Sequence, residues 1–361
     1  MKVLHVGEYV QGGVATYIKH LLHHPNETDI EDYIICSENN SNHTWNIPEN
    51  HVHYYPYERS LLNIFKAMLS IHRYVHEIQP DIIYCHSTWA GVFLRTPFLF
   101  FYKNDGLKII YNAHGWSFLR DTSRWKKKIY AFIERFLLKV TDAVVNVSES
   151  EYRAALEYGF DERKQKLIYS GVPIEIPEDT QRNTSFLFDH NKINLLFVGR
   201  FDAPKGVDYL LAEFKKCRRG DLHLNIIGDR VVGDSSRIAF ESTENITFWG
   251  WIPHNRLYRY YQEADVVILP SRWEAFGLVA IEGMKYSKPL IVSNRGALPE
   301  LIDNEENGFI FDFNHPNSLQ QIFLKLDKSS LKNMGKKGRE IFLKRYQQKF
   351  MLDKTISLYR L

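Results

Sequence analysis

The chain alternates short runs rich in apolar, β-branched residues with stretches whose apolar residues recur every three or four positions. The runs KVLHV (2–6), DYIIC (32–36), DIIYC (81–85), LKIIY (107–111), AVVNV (143–147) and KLIYS (166–170) predict strands. Between them VATYIKHLL (14–22) and WKKKIYAFIERFLLKV (125–140) predict amphipathic helices. Such alternation predicts a parallel sheet covered by helices. A proline-bearing polar segment, PIEIPEDTQRNTSFLFDHNK (173–192), then breaks the rhythm. It resumes with INLLFV (193–198), LHLNII (222–227), ITFWG (246–250), DVVILP (265–270), PLIVS (289–293) and GFIF (308–311). The last stretch, roughly 328–360, is long, basic and patterned and predicts one helix.

The expectation is therefore an α/β protein of two Rossmann-like domains, residues 1–172 and 173–345. The final helical segment, 346–361, is expected to pack back toward the first domain. A length of 361 residues agrees, since one hydrophobic core seldom serves so long a chain. Two such domains form a cleft, and parallel sheets bind ligands at the carboxyl ends of their strands.

Composition narrows the function by exclusion. Hydrophobic residues at 44% and charged residues at 25% are globular values. A net charge of +3 is too mild to argue for nucleic acid, which calls for a dense basic face. Three separated cysteines, Cys36, Cys85 and Cys217, suggest neither a disulfide framework nor a zinc site. The start MKVLHVGEYVQGG has too short an apolar run for a signal peptide, and GVFLRTPFLFFY (91–102) falls short of a membrane span. A cytoplasmic enzyme is expected, and the N-x-S/T matches at Asn42 and Asn245 are read as chance.

The candidate chemistry sits where strands end. Gly12 and Gly13 follow the first strand and open a helix, where backbone amides can face a phosphate; the plainer reading is a tight turn. His114 and Gly115 end another strand, although a lone histidine is more often structural. In LLFVGRFDAPKG, Arg200 and Lys205 can neutralise a diphosphate, or form a solvated basic loop. There is no Asp-x-Asp, hence no obvious carboxylate pair for magnesium, and cations and helix ends must meet the leaving group's charge.

The segment SRWEAFGLVAIEG carries Glu274 and Glu282 eight positions apart. On one helix they would be ~12 Å apart, too far to share a small group. With Gly277 in a loop, the order becomes carboxylate, helix-opening amides of Phe276, Gly277, Leu278 and Val279, then carboxylate. That order suits a ligand laid out as hydroxyls, phosphates, hydroxyls, as in a nucleotide sugar. The bland alternative is two surface glutamates beside a helix start.

Residues 195–312 resemble the C-terminal domain of retaining GT-B glycosyltransferases of family 4, the glycosyl transferases group 1 class. The matching runs are VGRFDAPKG, IIGD, FWGWIP, ADVVILPSRWEAFGLVAIEGMKYSKPLIVSNRGALPELI and ENGFIFD. GGVATY, AHG and VNVSESE also match, so nearly the whole chain is covered. The resemblance implies that Glu274 holds donor-sugar hydroxyls, Glu282 the ribose hydroxyls, and Arg200 with Lys205 the diphosphate. It implies that the 276–279 amides join the phosphate site, that Gly12 and Gly13 approach it, and that His114 lies near the reacting sugar. It further implies an acceptor-binding N-terminal domain and a retaining, front-face, oxocarbenium-like path in which the leaving phosphate helps deprotonate the acceptor.

Two departures stand out. SGVPIE (170–175) replaces the usual Asn-Gly-Val, and Glu-Ala-Phe-Gly replaces Glu-Gly-Phe-Gly, so that Ala275 adds a Cβ beside the sugar. The acceptor side is less legible. Trp125, Ile129, Phe132, Ile133, Phe136 and Leu137 form a stripe with Arg124, Lys127 and Lys128 nearby. That pattern suits an anionic membrane surface on the inner face, yet such a stripe is more often core and such charges a solvated face.

The expectation is a metal-independent, cofactor-free hexosyltransferase that moves a sugar from a nucleotide-diphosphate donor, UDP-linked, to a saccharide or lipid-linked acceptor in surface polysaccharide biosynthesis. The alternatives are a GT-B sugar-nucleotide epimerase and a non-catalytic nucleotide-sugar-binding protein.

Overall fold

The protein is described by a computed structural model covering residues 1–24, 29–57, 60–101, 103–177, 186–230 and 241–361, without the side chains of Leu61 and Leu62. Residues 178–185 of the proline-bearing segment and Tyr102 of the apolar stretch lie outside the described residues. Two compact units result, Met1–Ser170 with Gln348–Leu361, and Gly171–Gln347.

The first unit is built as β1 (Lys2–Gly7), α1 (Gly12–Leu21), β2 (Glu31–Ser37), β3 (Val52–Tyr55), α2 (Leu61–Ile78), β4 (Ile82–His86), α3 (Thr88–Phe98), β5 (Lys108–Asn112), α4 (Arg124–Leu137), β6 (Ala143–Asn146), α5 (Glu149–Glu157) and β7 (Gln165–Leu167). Its seven strands are parallel in the order β3-β2-β1-β4-β5-β6-β7. Edge strand β3 is not evident from the sequence because VHYY is only four residues long and only partly buried.

Register makes the two faces of this sheet chemically different. Leu4 and Val6 pair with Tyr33 and Ile35 on one side and with Ile83 and Cys85 on the other, and all six lie in one apolar core. Burying each such aliphatic or aromatic side chain contributes roughly 1.5–3 kcal/mol. The alternate positions run Asp32, His5, Tyr84, His86 and Asn112, so the opposite face carries a polar line.

Of the two orientations open to helix α4, the structure has the stripe facing outward. Its buried residues are Ala131, Glu134 and Leu137, and the aromatic stripe is solvent-exposed, with Trp125 at 60% and Phe132 at 68%. Ile129, Ile133 and Phe136 are also exposed; of the stripe only Leu137 is buried. The cause is a buried ion pair. Arg95 of α3 donates to Glu134 at 2.7 Å and stacks its guanidinium 3.7 Å from the Tyr111 ring centre, and the Tyr111 hydroxyl donates to Glu134 at 2.8 Å. A fully buried arginine needs that carboxylate, so the helix turns its charged position inward.

The second unit runs β8 (Ile193–Val198), α6 (Val207–Lys216), β9 (Leu222–Ile227), β10 (Ile246–Gly250), α7 (Leu257–Glu263), β11 (Val266–Leu269), α8 (Leu278–Lys285), β12 (Leu290–Ser293), β13 (Gly308–Phe311), α9 (Ser318–Lys325) and α10 (Lys328–Arg345). Its parallel sheet has the order β10-β9-β8-β11-β12-β13. The single helix expected over 328–360 is two, α10 and α11 (Gln348–Arg360). Tyr346 and Gln347 break it: the Val172 amide donates to the Tyr346 carbonyl at 3.1 Å, and Val172 bridges Gln347. That pairing takes the backbone out of helical geometry. Helix α11 belongs to the first unit, where Gln348 donates to the His20 carbonyl at 2.8 Å and Arg360 pairs with Asp29 at 3.2 Å.

Candidate active site

In the second unit, the loops that follow β8, β9 and β11 are held together through close backbone approaches. Gly228, at φ +145°, lies so near β8's continuation that a Cβ there would sit 1.8 Å from the Gly199 carbonyl. Gly206, at φ +70°, presses the 203–205 turn onto the end of β11, with room for no side chain against the Pro270 carbonyl. Asp202 caps that turn by accepting from the Lys205 amide at 3.2 Å and pairs with Arg200 at 2.8 Å.

The result is that Lys205 and Glu274 meet: Lys205 Nζ donates to Glu274 Oε2 at 2.6 Å, with Ser271 Oγ donating to the same oxygen at 3.2 Å. The loop carrying Glu274 is fixed from both sides. Arg272 grips Asp208 with two bonds of 2.7 and 2.6 Å, and Ser293 Oγ donates to the Ser271 carbonyl at 2.6 Å. The Ala297 amide donates to the Glu274 carbonyl at 3.1 Å.

Gly277, at φ +99°, then opens α8, so the amides of Leu278 and Val279 belong to a helix's first turn and lack intrahelical partners. Phe276 is buried against Tyr346, their ring centres 5.7 Å apart. Glu282 lies one turn further and is nearly buried. It accepts from the Tyr261 hydroxyl at 2.6 Å and contacts His254 Nε2 at 2.8 Å. Burial and Glu282 push the Tyr261 hydroxyl well above its ordinary range, which keeps it a donor. Tyr261 and His254 were missed by the sequence reading. Only their spacing from a known strand could have suggested them.

In the first unit Gly12, at φ +56°, begins α1 with open space where a Cβ would lie, and Gly13 beside it is exposed. His114, half-buried, follows β5 in a left-handed conformation at φ +48°, its amide donating to Asn112 Oδ1 at 2.8 Å. Behind it lies an unbroken file of imidazoles. His114 Nε2 is 3.0 Å from His86 Nδ1, His86 Nε2 is 3.0 Å from His5 Nδ1, and His5 Nε2 is 3.3 Å from Asp32 Oδ1. His24 contacts the other Asp32 oxygen. Burial holds His114 down at about 3 and, with His5 and His114 nearby, holds His86 well below the usual imidazole value. Burial would raise Asp32, but hydrogen bonds from His24 and His5 outweigh it and bring the carboxyl to about 2. None of His5, His86 or Asp32 was singled out from sequence; they read there as strand residues.

Among the described residues no three His, Cys, Asp or Glu side chains are grouped to hold a metal ion, and no helix is long and apolar enough to cross a membrane.

Two family models match the chain: Glycosyltransferase Family 4 over residues 11–176 and Glycosyl transferases group 1 over residues 179–341. The chain is 34% identical to an "Uncharacterized 41.2 kDa protein in cps region" of Klebsiella pneumoniae, covering 100% of this chain and 99% of that protein. It is 30% identical to the O-antigen biosynthesis glycosyltransferase WbnH of Escherichia coli over 73% of this chain and 71% of the relative. Among solved structures, Anabaena Alr3699/HepE in complex with UDP and glucose superposes with a TM-score of 0.80 at 17% identity, covering 99% of each chain. The fold is that of GT-B glycosyltransferases, two parallel-sheet α/β units. With a relative of this identity and coverage and a family model on each half, the chain belongs to the family 4, group 1 glycosyltransferases.

Proposed function

We propose that this glycosyltransferase moves a sugar from a UDP-linked donor to a saccharide or lipid-linked saccharide acceptor, with retention of configuration and without a metal, in the assembly of a surface polysaccharide. The observation that carries the reading is the run of charge along one end of the second unit's sheet. Cationic Arg200 and Lys205, the Glu274 carboxylate, the opening amides of α8 and the Glu282 carboxylate follow one another there. In this reading Glu274 binds donor-sugar hydroxyls, Glu282 binds the ribose, and Arg200, Lys205 and the 276–279 amides receive the diphosphate. Charge-assisted bonds of this kind are worth roughly 1.5–3 kcal/mol each, enough to decide the fate of a leaving group.

His114 is assigned to the sugar undergoing transfer, and Gly12 and Gly13 to close backbone approach to the phosphates, as the family's pattern implies. The UDP and glucose held by the HepE structure and the O-antigen role in WbnH's name support the donor and the product class. The exposed stripe of α4, with Arg124, Lys127 and Lys128 nearby, suits contact with an anionic bilayer, which would bring the enzyme to a lipid-linked acceptor.

Incubation with a panel of UDP-sugars tests the activity. Slow release of UDP supports transfer, whereas epimerised donor or inert binding would replace it with one of the two alternatives. Chelator should leave the activity intact, and a strict magnesium requirement contradicts the metal-free part of the reading. Sedimentation with phosphatidylglycerol vesicles tests the bilayer contact. Binding should fall with salt and be lost in Phe132→Ser/Phe136→Ser, both exposed positions; salt-independent binding, or none, overturns it.

A further inference from the structure

We propose that Asp32, acting through His5 and His86, fixes which ring nitrogen of His114 carries the proton, so that His114 presents a bare Nδ1 able only to accept a hydrogen bond from a substrate hydroxyl. Asp32, His5 and His86 are then positioning residues of the reaction, lying on three adjacent strands of one sheet.

The polarity of the file follows from its far end. An ionised carboxylate can only accept, so the His5 nitrogen facing Asp32, Nε2, carries a hydrogen. With that single N–H on the ring, His5 Nδ1 is left as a lone pair. The contact to His86 Nε2 at 3.0 Å is then a bond donated by His86. His86 Nδ1 is thereby the acceptor, and the 3.0 Å contact to His114 requires that His114 Nε2 donate. His114 Nδ1 is left without a proton. The opposite polarity requires a second proton on His5; every bond in the file would then turn round, and His114 would expose an N–H.

Three features show that the file does more than fill space. The other face of the same strands carries the apolar core at Leu4, Val6, Tyr33, Ile35, Ile83 and Cys85, as is usual for a parallel sheet, so His5 and His86 in succession on this face are a departure. Neighbouring polar groups do not compete with it: the Tyr17 and Tyr84 hydroxyls bond each other at 3.0 Å, and Tyr17 meets His114 edge-on through its ring, 4.7 Å between centres. Finally, His114 holds a left-handed backbone conformation that a β-carbon disfavours, tied by its amide to Asn112. Both the backbone and the ring are thus constrained. Burial acts in the same sense, because the low proton affinities of His86 and His114 keep one proton on each ring.

The hydroxyl as partner rests on the proposed donor-sugar role of His114, but the tautomer does not, and the test separates the two. In the full-length protein labelled with ¹⁵N-histidine, long-range ¹H–¹⁵N spectra at neutral pH report the protonation of each ring nitrogen. His114 is identified by loss of its signals in His114→Gln. The expected result is a pyridine-type Nδ1 and a pyrrole-type Nε2; a protonated Nδ1 overturns the inference whatever the enzyme's activity. Asp32→Asn should mix the His114 tautomers and lower kcat about tenfold, the equivalent of one hydrogen bond, while the affinity for UDP is unchanged. An Asp32→Asn protein with an unaltered His114 spectrum and kcat also overturns it. Should that variant fail to fold, the wild-type spectrum alone decides. If no UDP-sugar is turned over, the functional reading fails and the ring-nitrogen spectrum still judges this one.

Discussion

Lys205 and Glu274, 69 positions apart in the chain, share a hydrogen bond of 2.6 Å at the ends of two neighbouring parallel strands. The pair joins the cation assigned to the diphosphate with the carboxylate assigned to the sugar. An ammonium has three hydrogens, so Lys205 can keep Glu274 and still donate to phosphate oxygens, while Glu274 retains its Oε1 for a hydroxyl. One contact thus sets the relative position of two binding functions.

Replacing Lys205 by alanine should remove both roles. Donor affinity and turnover are expected to fall together, with a loss of about 2–3 kcal/mol in transition-state stabilisation from kcat/KM. Steady-state kinetics with a UDP-sugar measure it, and unchanged constants in the folded variant would refute the phosphate assignment.

The buried Arg95–Glu134 pair gives a prediction about stability alone. Glu134→Ala leaves a fully buried guanidinium uncompensated and should cost about 3–5 kcal/mol in urea unfolding. The double variant Arg95→Met/Glu134→Leu should be markedly less harmful, since it buries no charge. Equal losses in the two proteins would mean that the ion pair does not orient α4.

That helix also marks a limit of what the sequence discloses. Among the described residues twelve of the thirteen strands were legible because a parallel strand buried on both faces needs a short run dominated by apolar, β-branched residues, as in INLLFV or DVVILP. The orientation of the α4 stripe stays open in the sequence because periodicity reports which residues share a face, not whether that face points inward. Here one charge, Glu134, decided the matter through a partner, Arg95, 39 residues away. The same holds for the candidate sites. Glu274, Glu282, Arg200 and Lys205 lay in recognisable runs, whereas His5, Asp32 and His86 are joined only by strand register, which a linear reading does not provide. The C-terminal helix looked continuous because its break arises from pairing with Val172, far back in the chain.

Acid should weaken the protein in two stages. His86 and His114 bind a proton less readily when folded, His114 at about 3 against 6.5, so unfolding takes up protons as pH falls below about 6.5 and stability declines from there. Asp32 works in the lower window. Its folded value of about 2 lies below the ordinary 3.8, so its contribution, about 2 kcal/mol, is intact above 3.8 and lost between that value and 2. Thermal midpoints recorded from about pH 8 to pH 4 should fall, and less steeply in His114→Gln. A flat profile over that range would contradict the buried, neutral imidazoles.

Gly296 provides the sharpest test of how the Glu274 loop is held. It lies in neither binding run of charges, yet at φ +57° its backbone passes so close that an added Cβ would sit 2.1 Å from the Glu274 carbonyl oxygen. Backbone cannot yield as a flexible side chain does, so Gly296→Ala must push the loop away or unwind its own turn. Either movement separates Glu274 from Lys205 and from the α8 amides. The expected outcome is a folded protein with a drop in kcat/KM of one to two orders of magnitude, because a displacement of about 1 Å can cost that much. UDP affinity should fall less, since Glu282 and its partners Tyr261 and His254 hold their places. Kinetics beside UDP titration calorimetry separate the two effects. Full activity in Gly296→Ala would mean that the position of Glu274 does not matter to catalysis, and the sugar-binding role assigned to it would have to be given up.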